Sequence, residues 1–256
     1  MSRIDELFRL KQKKILNVYC TAGYPTLDAT LPLMQAMQEN GVDMIELGMP
    51  YSDPLADGPV IQASSALAIQ NGMSIPVLFS QLKDFRQAIN VPVILMGYMN
   101  PVLQYGFEKF CADAAAVGVD GLILPDLPAH EFENEYGKII KQYGLDFIFL
   151  VTPETGLERT LKLDELSTGF LYAVSSSSTT GSEQAGKNNE AYLQQLQSLP
   201  LKNPVLVGFG IKNRDDFEKA SRYANGAIIG TAFIKALNGG SDPATLTKEF
   251  LAGLVS

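Results

Sequence analysis

The stretch Gly41-Val42-Asp43-Met44-Ile45-Glu46-Leu47 places a glycine directly before a short apolar run. Glycine is the residue that often follows the end of a helix, and the apolar run after it is typical of a strand buried on both faces. Similar arrangements occur at residues 118–124, 143–150 and 224–230. The chain is therefore built from a recurring helix-to-strand unit.

Four more segments complete the set of strand candidates. Two of them, at 91–96 and 203–208, have a proline at their start. Proline has no N–H to donate, and the first residue of a strand is a position where this donor is not needed. The other two, at 15–21 and 169–174, are rich in aliphatic and aromatic residues. Helical patterns separate the strands, for example at 27–40, 107–117, 131–142 and 214–223.

Eight strands alternating with helices over 256 residues predict an α/β protein with a (β/α)8 TIM barrel. The amphipathic segment 1–10 is expected to add an N-terminal helix. The alternative is an open, doubly wound sheet, which usually has fewer strands and an early glycine-rich fingerprint. No change of composition marks a linker, so we expect one domain over residues 1–256.

Composition excludes several classes of function. The net charge of −8 and the absence of a long Lys/Arg cluster argue against a nucleic-acid-binding surface. No apolar run reaches the roughly 20 residues of a membrane span. Cys20 and Cys111 lie in apolar surroundings, which favours reduced core thiols in a cytoplasmic protein. His130, the single histidine, is expected at the surface, and a histidine-based triad or metal site is nearly excluded.

The loop after the second strand carries the most unusual chemistry. It reads Glu46-Leu47-Gly48-Met49-Pro50-Tyr51-Ser52-Asp53-Pro54-Leu55-Ala56-Asp57-Gly58-Pro59. A glutamate in an apolar strand is costly to bury unless it is neutral or paired, and a second carboxylate follows in the loop. This layout is typical of an acid/base pair. The alternative is a surface glutamate at a strand end and an aspartate that caps the next helix.

Glycines follow the last two predicted strands, at Gly208-Phe209-Gly210-Ile211 and Gly230-Thr231. TIM barrels often bind phosphate there, because glycine lets the backbone approach the anion and a short helix directs its N–H groups toward it. The alternative is that each glycine only makes a tight turn. The long polar segment 175–189 follows the sixth strand; it is either a plain flexible loop or a segment that orders over a substrate.

With these strands and loops placed, the chain resembles the tryptophan synthase alpha subunit family over nearly its whole length. The segment 46–59 carries the resemblance, and 96–101, 208–211 and 230–231 agree in order and spacing. The resemblance implies a cofactor-free lyase that cleaves indole-3-glycerol phosphate to indole and glyceraldehyde 3-phosphate in L-tryptophan biosynthesis. It also implies an alpha2beta2 complex, in which the beta subunit contains pyridoxal phosphate and receives the indole.

The same resemblance implies a role for each matching residue. Glu46 and Asp57 correspond to the catalytic carboxylates, and Asp53 and Pro54 correspond to the contact with the partner. The implied substrate-binding residues are Tyr172, Thr180, Gly181, Gly210, Gly230 and Thr231, with Phe209 expected beside the indole ring. One departure is that Ser176 and Ser178 stand where the family usually has an arginine and a glycine. Loop closure and signalling to the partner are the properties that this departure affects.

Such a cleavage is a retro-aldol reaction that depends on proton transfers. Glu46, in a rigid apolar strand, is expected to have a raised pKa and to act as the proton shuttle. Asp57, on a more polar loop, is expected to stay ionised and to stabilise positive charge at the indole nitrogen. Three alternatives remain: another phosphate-binding barrel enzyme, a non-catalytic subunit that activates a partner, and a lyase that works without a beta subunit.

Overall fold

Nine parallel strands form one continuous sheet in the computed structural model, which describes residues 1–174, 183–208, 210–238 and 242–255. In the described ranges the strands are β1 Ile15–Thr21, β2 Met44–Gly48, β3 Val93–Met96, β4 Gly121–Ile123, β5 Asp146–Phe147, β6 Leu150–Val151, β7 Leu171–Ala173, β8 Val205–Val207 and β9 Gly226–Ile229. Their order in the sheet is β5-β4-β3-β2-β1-β9-β8-β7-β6.

The two ends of this order meet in the chain, because only two residues separate β5 from β6. The Ile148 amide donates to Leu122 O at 3.0 Å on one side, and the Tyr172 amide donates to Phe149 O at 3.0 Å on the other. β5 and β6 are therefore two halves of the fifth barrel strand, and together they close the ring. The predicted (β/α)8 barrel is confirmed, although the strand predicted at 143–150 pairs in two short pieces.

Helices surround the barrel in the expected alternation. Among the described residues the α-helices are α1 Arg3–Leu10, α2 Thr30–Glu39, α3 Pro59–Gln70, α4 Ile75–Gln81, α5 Met99–Tyr105, α6 Phe107–Val117, α7 Ala129–Glu131, α8 Gly137–Gln142, α9 Leu157–Leu166, α10 Glu183–Ser198, α11 Arg214–Tyr223, α12 Thr231–Ala236 and α13 Pro243–Val255. Three departures from regular α-helix occur in the same ranges: 3-10 segments at Leu27–Ala29 and Leu82–Gln87, and a π-helical turn at Phe132–Tyr136.

A layer of apolar side chains fills the barrel interior. It is formed by buried residues from successive strands and from α1: Ile4, Ile15, Met44, Ile94, Ile123, Ile148, Phe170, Tyr172, Leu206 and Ile228. Because Ile4 belongs to this layer and the rings of Phe8 and Phe170 lie 6.2 Å apart, α1 closes the amino-terminal end of the barrel. Chemistry is thereby restricted to the opposite end, where the strands lead into the loops.

An ionic cluster attaches α1 to the barrel. Asp120 is buried, and its carboxylate accepts from Arg3 at 3.0 Å, from the Val93 amide at 2.7 Å and from Arg86. Three donors satisfy a carboxylate that would otherwise be costly to bury. The N-terminal helix predicted at 1–10 is confirmed as a part of the barrel floor.

The cysteines and the histidine lie where the sequence predicts. Cys20 and Cys111 are buried free thiols, and the His130 side chain is 73% exposed. In the part of the chain that the structure describes, we find no helix with the length and apolarity that a membrane crossing requires.

Candidate active site

Glu46 lies inside the barrel near the carboxyl end of β2, in register with Tyr19 of β1 and Ile94 of β3. Its side chain is completely buried, and its Oε2 accepts a hydrogen bond from Asn17 Nδ2 at 3.2 Å. Loss of solvation raises the pKa of Glu46 to about 8, although the Asn17 hydrogen bond opposes this shift. The alternative of a surface glutamate is therefore wrong, and Glu46 can hold or release a proton near neutral pH.

Asp57 lies in the loop that follows β2 and is partly buried. Burial raises the pKa of this carboxyl group, and a hydrogen bond from the Tyr98 hydroxyl acts in the opposite direction. Electrostatic repulsion from the negative charge of Asp57 raises the pKa of Glu46 further. Asp57 does not cap the next helix, because Gly58 occupies the N-cap of α3 and no side chain donates or accepts there.

The loop after β3 fixes the acidic loop in place. The Ala56 amide donates to the Tyr98 hydroxyl at 3.1 Å, and Asn100 Nδ2 donates to the Tyr51 hydroxyl at 2.9 Å. The rings of Tyr51 and Tyr98 lie 5.6 Å apart. Asp57 is thus held on a stretch of loop that is attached to its neighbour at several points.

Two tyrosine rings occupy the space that two glycines leave open. A Cβ atom at Gly48 would overlap the Tyr19 hydroxyl, and a Cβ atom at Gly208 would overlap the ring of Tyr172. Both tyrosines are nearly buried, and burial raises the pKa of each phenol well above its usual value. Tyr19 and Tyr172 therefore stay neutral beside Glu46 and Asp57.

The predicted phosphate-binding residues lie where two neighbouring strands end. Gly208 and Gly210 follow β8, and Gly230 and Thr231 follow β9, which pairs with β8. Gly210 has a positive φ of 73°, a conformation that favours glycine, and Gly230 occupies the N-cap of α12. Thr180, Gly181 and Phe209, which the sequence also predicts at the site, lie outside the described residues, as do Ser176 and Ser178.

The tip of the acidic loop faces solvent. Asp53 is exposed, Pro54 is partly exposed and the side chain of Leu55 is 93% exposed. The loop tip is therefore accessible from solvent.

A cavity of about 270 Å³ opens between the loop after β4 and the fifth strand. Its lining combines apolar side chains, among them Leu124, Leu127, Ile148, Phe149 and Leu150, with the polar side chains of Asp126 and Arg159. Leu150 is in register with Tyr172. The cavity therefore borders the strand of one of the predicted substrate contacts.

Two residues of this site are not among those predicted from the sequence. Asn17 supplies the one hydrogen bond that Glu46 accepts among the described residues, and Tyr98 bonds to Asp57. A polar residue inside the apolar strand 15–21 is the signal that marks Asn17. Within the described ranges, no group of three or more His, Cys, Asp or Glu side chains is suited to hold a metal ion.

Comparison with known proteins shows the family to which the chain belongs. A family model described as tryptophan synthase alpha chain matches residues 7–252. The chain belongs to this family. Similar members include the tryptophan synthase alpha chain of Flavobacterium johnsoniae, 51% identical over 93% of this chain and 94% of that protein. The alpha chain of Parabacteroides distasonis is 46% identical over 99% of both chains.

Solved structures of the tryptophan synthase family have the same fold. The alpha subunit from Legionella pneumophila superposes with a TM-score of 0.89 at 34% identity, covering 99% of this chain and 97% of that chain. The subunit from the hyperthermophile Pyrococcus furiosus gives a TM-score of 0.88 at 35% identity, covering 96% and 99%. In this alpha chain family member, the loops that follow the strands carry the candidate site.

Proposed function

We propose that the chain cleaves indole-3-glycerol phosphate to indole and glyceraldehyde 3-phosphate, as the alpha subunit of tryptophan synthase in L-tryptophan biosynthesis. Membership of the family supports this reaction. The assignment of roles rests on one observation. Glu46 is completely buried, and its pKa is raised to about 8 beside a second carboxylate. A carbon–carbon lyase of this type needs an acid that can both give and take a proton.

Glu46 performs both proton transfers in the proposed mechanism. It first donates a proton to C3 of the indole ring, which places positive charge at the ring nitrogen. It then accepts the proton of the hydroxyl on the glycerol carbon attached to C3. The C–C bond breaks, its electrons restore the aromatic ring, and the hydroxyl carbon becomes the aldehyde. One proton is given and one is taken, so Glu46 ends as it began.

Asp57 stabilises the intermediate charge. Its carboxylate is proposed to accept a hydrogen bond from the indole N–H while that nitrogen carries positive charge. The Tyr98 hydrogen bond favours the ionised form of Asp57, and the contact between Ala56 and Tyr98 orients the loop. Burial raises the pKa of both carboxyl groups. Glu46 is the more easily protonated of the two, because its side chain is the more deeply buried.

The two ends of the substrate need different surroundings. We assign the phosphate to the glycine turns after β8 and β9, which carry Gly210, Gly230 and the Thr231 hydroxyl, together with Gly181. We assign the indole ring to the apolar side of the barrel mouth, with Tyr172, Thr180 and Phe209 as contacts. The cavity beside Leu124 and Leu150 offers apolar side chains on that side, together with the polar groups of Asp126 and Arg159.

An assay of product formation tests this function. We expect the purified chain to form indole and glyceraldehyde 3-phosphate in equal amounts from indole-3-glycerol phosphate. Asp57→Asn keeps the shape of the side chain and removes its charge, so kcat is expected to fall by about 10- to 100-fold. The measurement is indole release followed by absorbance. Turnover of Asp57→Asn at the parent rate would contradict the role of Asp57.

We further propose that the chain acts with a beta subunit in an alpha2beta2 complex. The resemblance implies that Asp53 and Pro54 contact the partner, and their position on an exposed loop tip is compatible with this role. The indole ring itself accepts the electrons of the cleaved bond, so the proposed reaction needs no cofactor in this chain. Pyridoxal phosphate is assigned to the beta subunit, and the compartment is proposed to be the cytoplasm.

The partner contact is tested by the ratio of turnover with the beta subunit to turnover without it. Asp53→Asn removes one exposed charge from the loop tip and is expected to lower this ratio at least about fivefold. Glu39→Gln makes the same change on an exposed side chain at the end of α2, which leads into the amino-terminal end of β2 and so lies away from the loop after β2, and is the matched control. A ratio near one for the parent chain would indicate a lyase that works alone.

A further inference from the structure

Asn17 is an amide placed in the apolar interior of the barrel. It lies on β1 between Ile15 and Tyr19, in register with Met44, and its side chain has no exposed surface. The neighbouring positions of the inner layer are filled by isoleucine, methionine, leucine and phenylalanine. An aliphatic residue would therefore be the cheaper choice at this position, because a buried amide must replace the hydrogen bonds that it made to water.

Hydrogen bonding at this amide is incomplete. Asn17 Nδ2 donates to Glu46 Oε2 at 3.2 Å. The other two oxygens of the pair, Asn17 Oδ1 and Glu46 Oε1, are buried and have no hydrogen-bond partner among the described residues. Buried polar atoms without partners are uncommon in folded proteins, and a catalytic role is one of the reasons for which they are kept.

We propose that Asn17 is a positioning residue that holds the Glu46 side chain in both of its protonation states. This inference rests on the proposed function, in which Glu46 alternates between acid and carboxylate. A carboxylate must accept a hydrogen bond, whereas a carboxylic acid also has one to donate. An amide can do both, because a rotation of about 180° exchanges its nitrogen and its oxygen. Asn17 Oδ1 is the acceptor that the protonated form of Glu46 requires.

Among the described residues, no group other than Asn17 forms a hydrogen bond with Glu46. Asp57 raises the pKa of Glu46 through its charge. Tyr19 and Cys20 on β1 and Tyr172 on β7 have pKa values that burial raises, so they remain neutral near pH 7. Of the interactions that shift the pKa of Glu46, the hydrogen bond from Asn17 is the one that lowers it and so favours the ionised form. Removing its amide should therefore raise the pKa of Glu46 further.

The test is a titration of the substrate-free protein by NMR, with the carboxyl carbons of glutamate labelled and Glu46 assigned through Glu46→Gln. Asn17→Leu has nearly the shape of asparagine without its polar atoms. We expect it to raise the pKa of Glu46 by about one pH unit or more, a tenfold change in acid dissociation. We also expect kcat for indole release to fall about tenfold with KM changed less than about twofold.

Ile94→Leu is the matched control, because Ile94 belongs to the same buried layer and lies on β3 in register with Glu46 on β2. This volume-conserving change should leave the titration of Glu46 within about 0.3 pH units of the parent. An equally small change in Asn17→Leu, with unchanged kcat, would overturn the inference. Because the titration uses no substrate, it also gives an answer if the proposed function fails.

A second variant covers the case in which Asn17→Leu does not fold. Asn17→Asp keeps the shape of the amide and is neutral when protonated. It places a carboxyl group against Glu46, so the two acids are expected to titrate as a coupled pair in two separated steps. Titration of the two acids as independent groups would contradict the contact.

Discussion

Replacement of Glu46 by glutamine is expected to lower kcat for indole release by about 1,000-fold or more. Glutamine keeps the length and planarity of the side chain, and its amide can still bond to Asn17. It cannot donate a proton to indole C3 and then accept one from the glycerol hydroxyl. Both proton transfers of the proposed mechanism are therefore lost in one substitution, whereas binding of substrate is retained.

The measurement is steady-state indole release at saturating indole-3-glycerol phosphate, with the purified beta subunit present and absent. We expect KM to change by less than about threefold, because an interaction used only in the transition state lowers kcat and kcat/KM together. The exposed Glu39→Gln variant serves as the control for the chemical change itself. A Glu46→Gln protein that retains a tenth or more of the parent kcat would exclude Glu46 as the proton shuttle.

The same substitution is expected to make the protein more stable relative to the parent as the pH rises. Glu46 has a pKa of about 8 in the folded chain, against 4.5 for an unperturbed side chain. Below the lower value both states are protonated and the group has no effect. Between the two values the unfolded chain ionises and the folded chain does not, so the parent loses about 1.4 kcal/mol per pH unit. Above pH 8 the loss is complete, at about 5 kcal/mol.

Urea denaturation of the parent and of Glu46→Gln between about pH 5 and pH 9 measures this effect. The difference in the free energy of unfolding should rise in favour of the variant until about pH 8 and then level off. Asp57 and Asp146 also have raised pKa values, but both proteins contain them and their contributions largely cancel. Glu39→Gln should show no such trend. A difference that is constant across the range would mean that Glu46 is ionised in the folded protein at neutral pH.

The strands and most helices follow from local patterns. Glycine before an apolar run marks the start of β2, and proline marks the entry to β3 and β8, because these signals depend only on neighbours in the chain. The fifth strand is the exception. Its residues 147–151 form one apolar run, yet the first half of the strand pairs with β4 and the second with β7. That division depends on how eight strands close into a ring, and no short stretch of sequence contains it.

The site is predicted in part. The burial of Glu46 in the strand and the proximity of Asp57 follow from their place at the end of β2. The hydrogen bonds of these acids do not, because Asn17 and Tyr98 come from two other strands and their loops. The fit of Tyr172 against Gly208 is likewise a property of two strands that meet only in the folded chain. The roles assigned to the residues stay predictions, and they include Thr180, Gly181 and Phe209.

The divided fifth strand has a consequence for how the barrel moves. The fifth strand pairs through two residues with β4 and two with β7, whereas β1 and β2 pair through five. Local opening of the ring costs least where the fewest inter-strand bonds must break. The fifth strand borders the cavity beside Leu124 and Leu150, and two strands separate it from β2, which carries Glu46. We therefore expect the ring to open more readily on the flank of the fifth strand than on the flank that carries the proton shuttle.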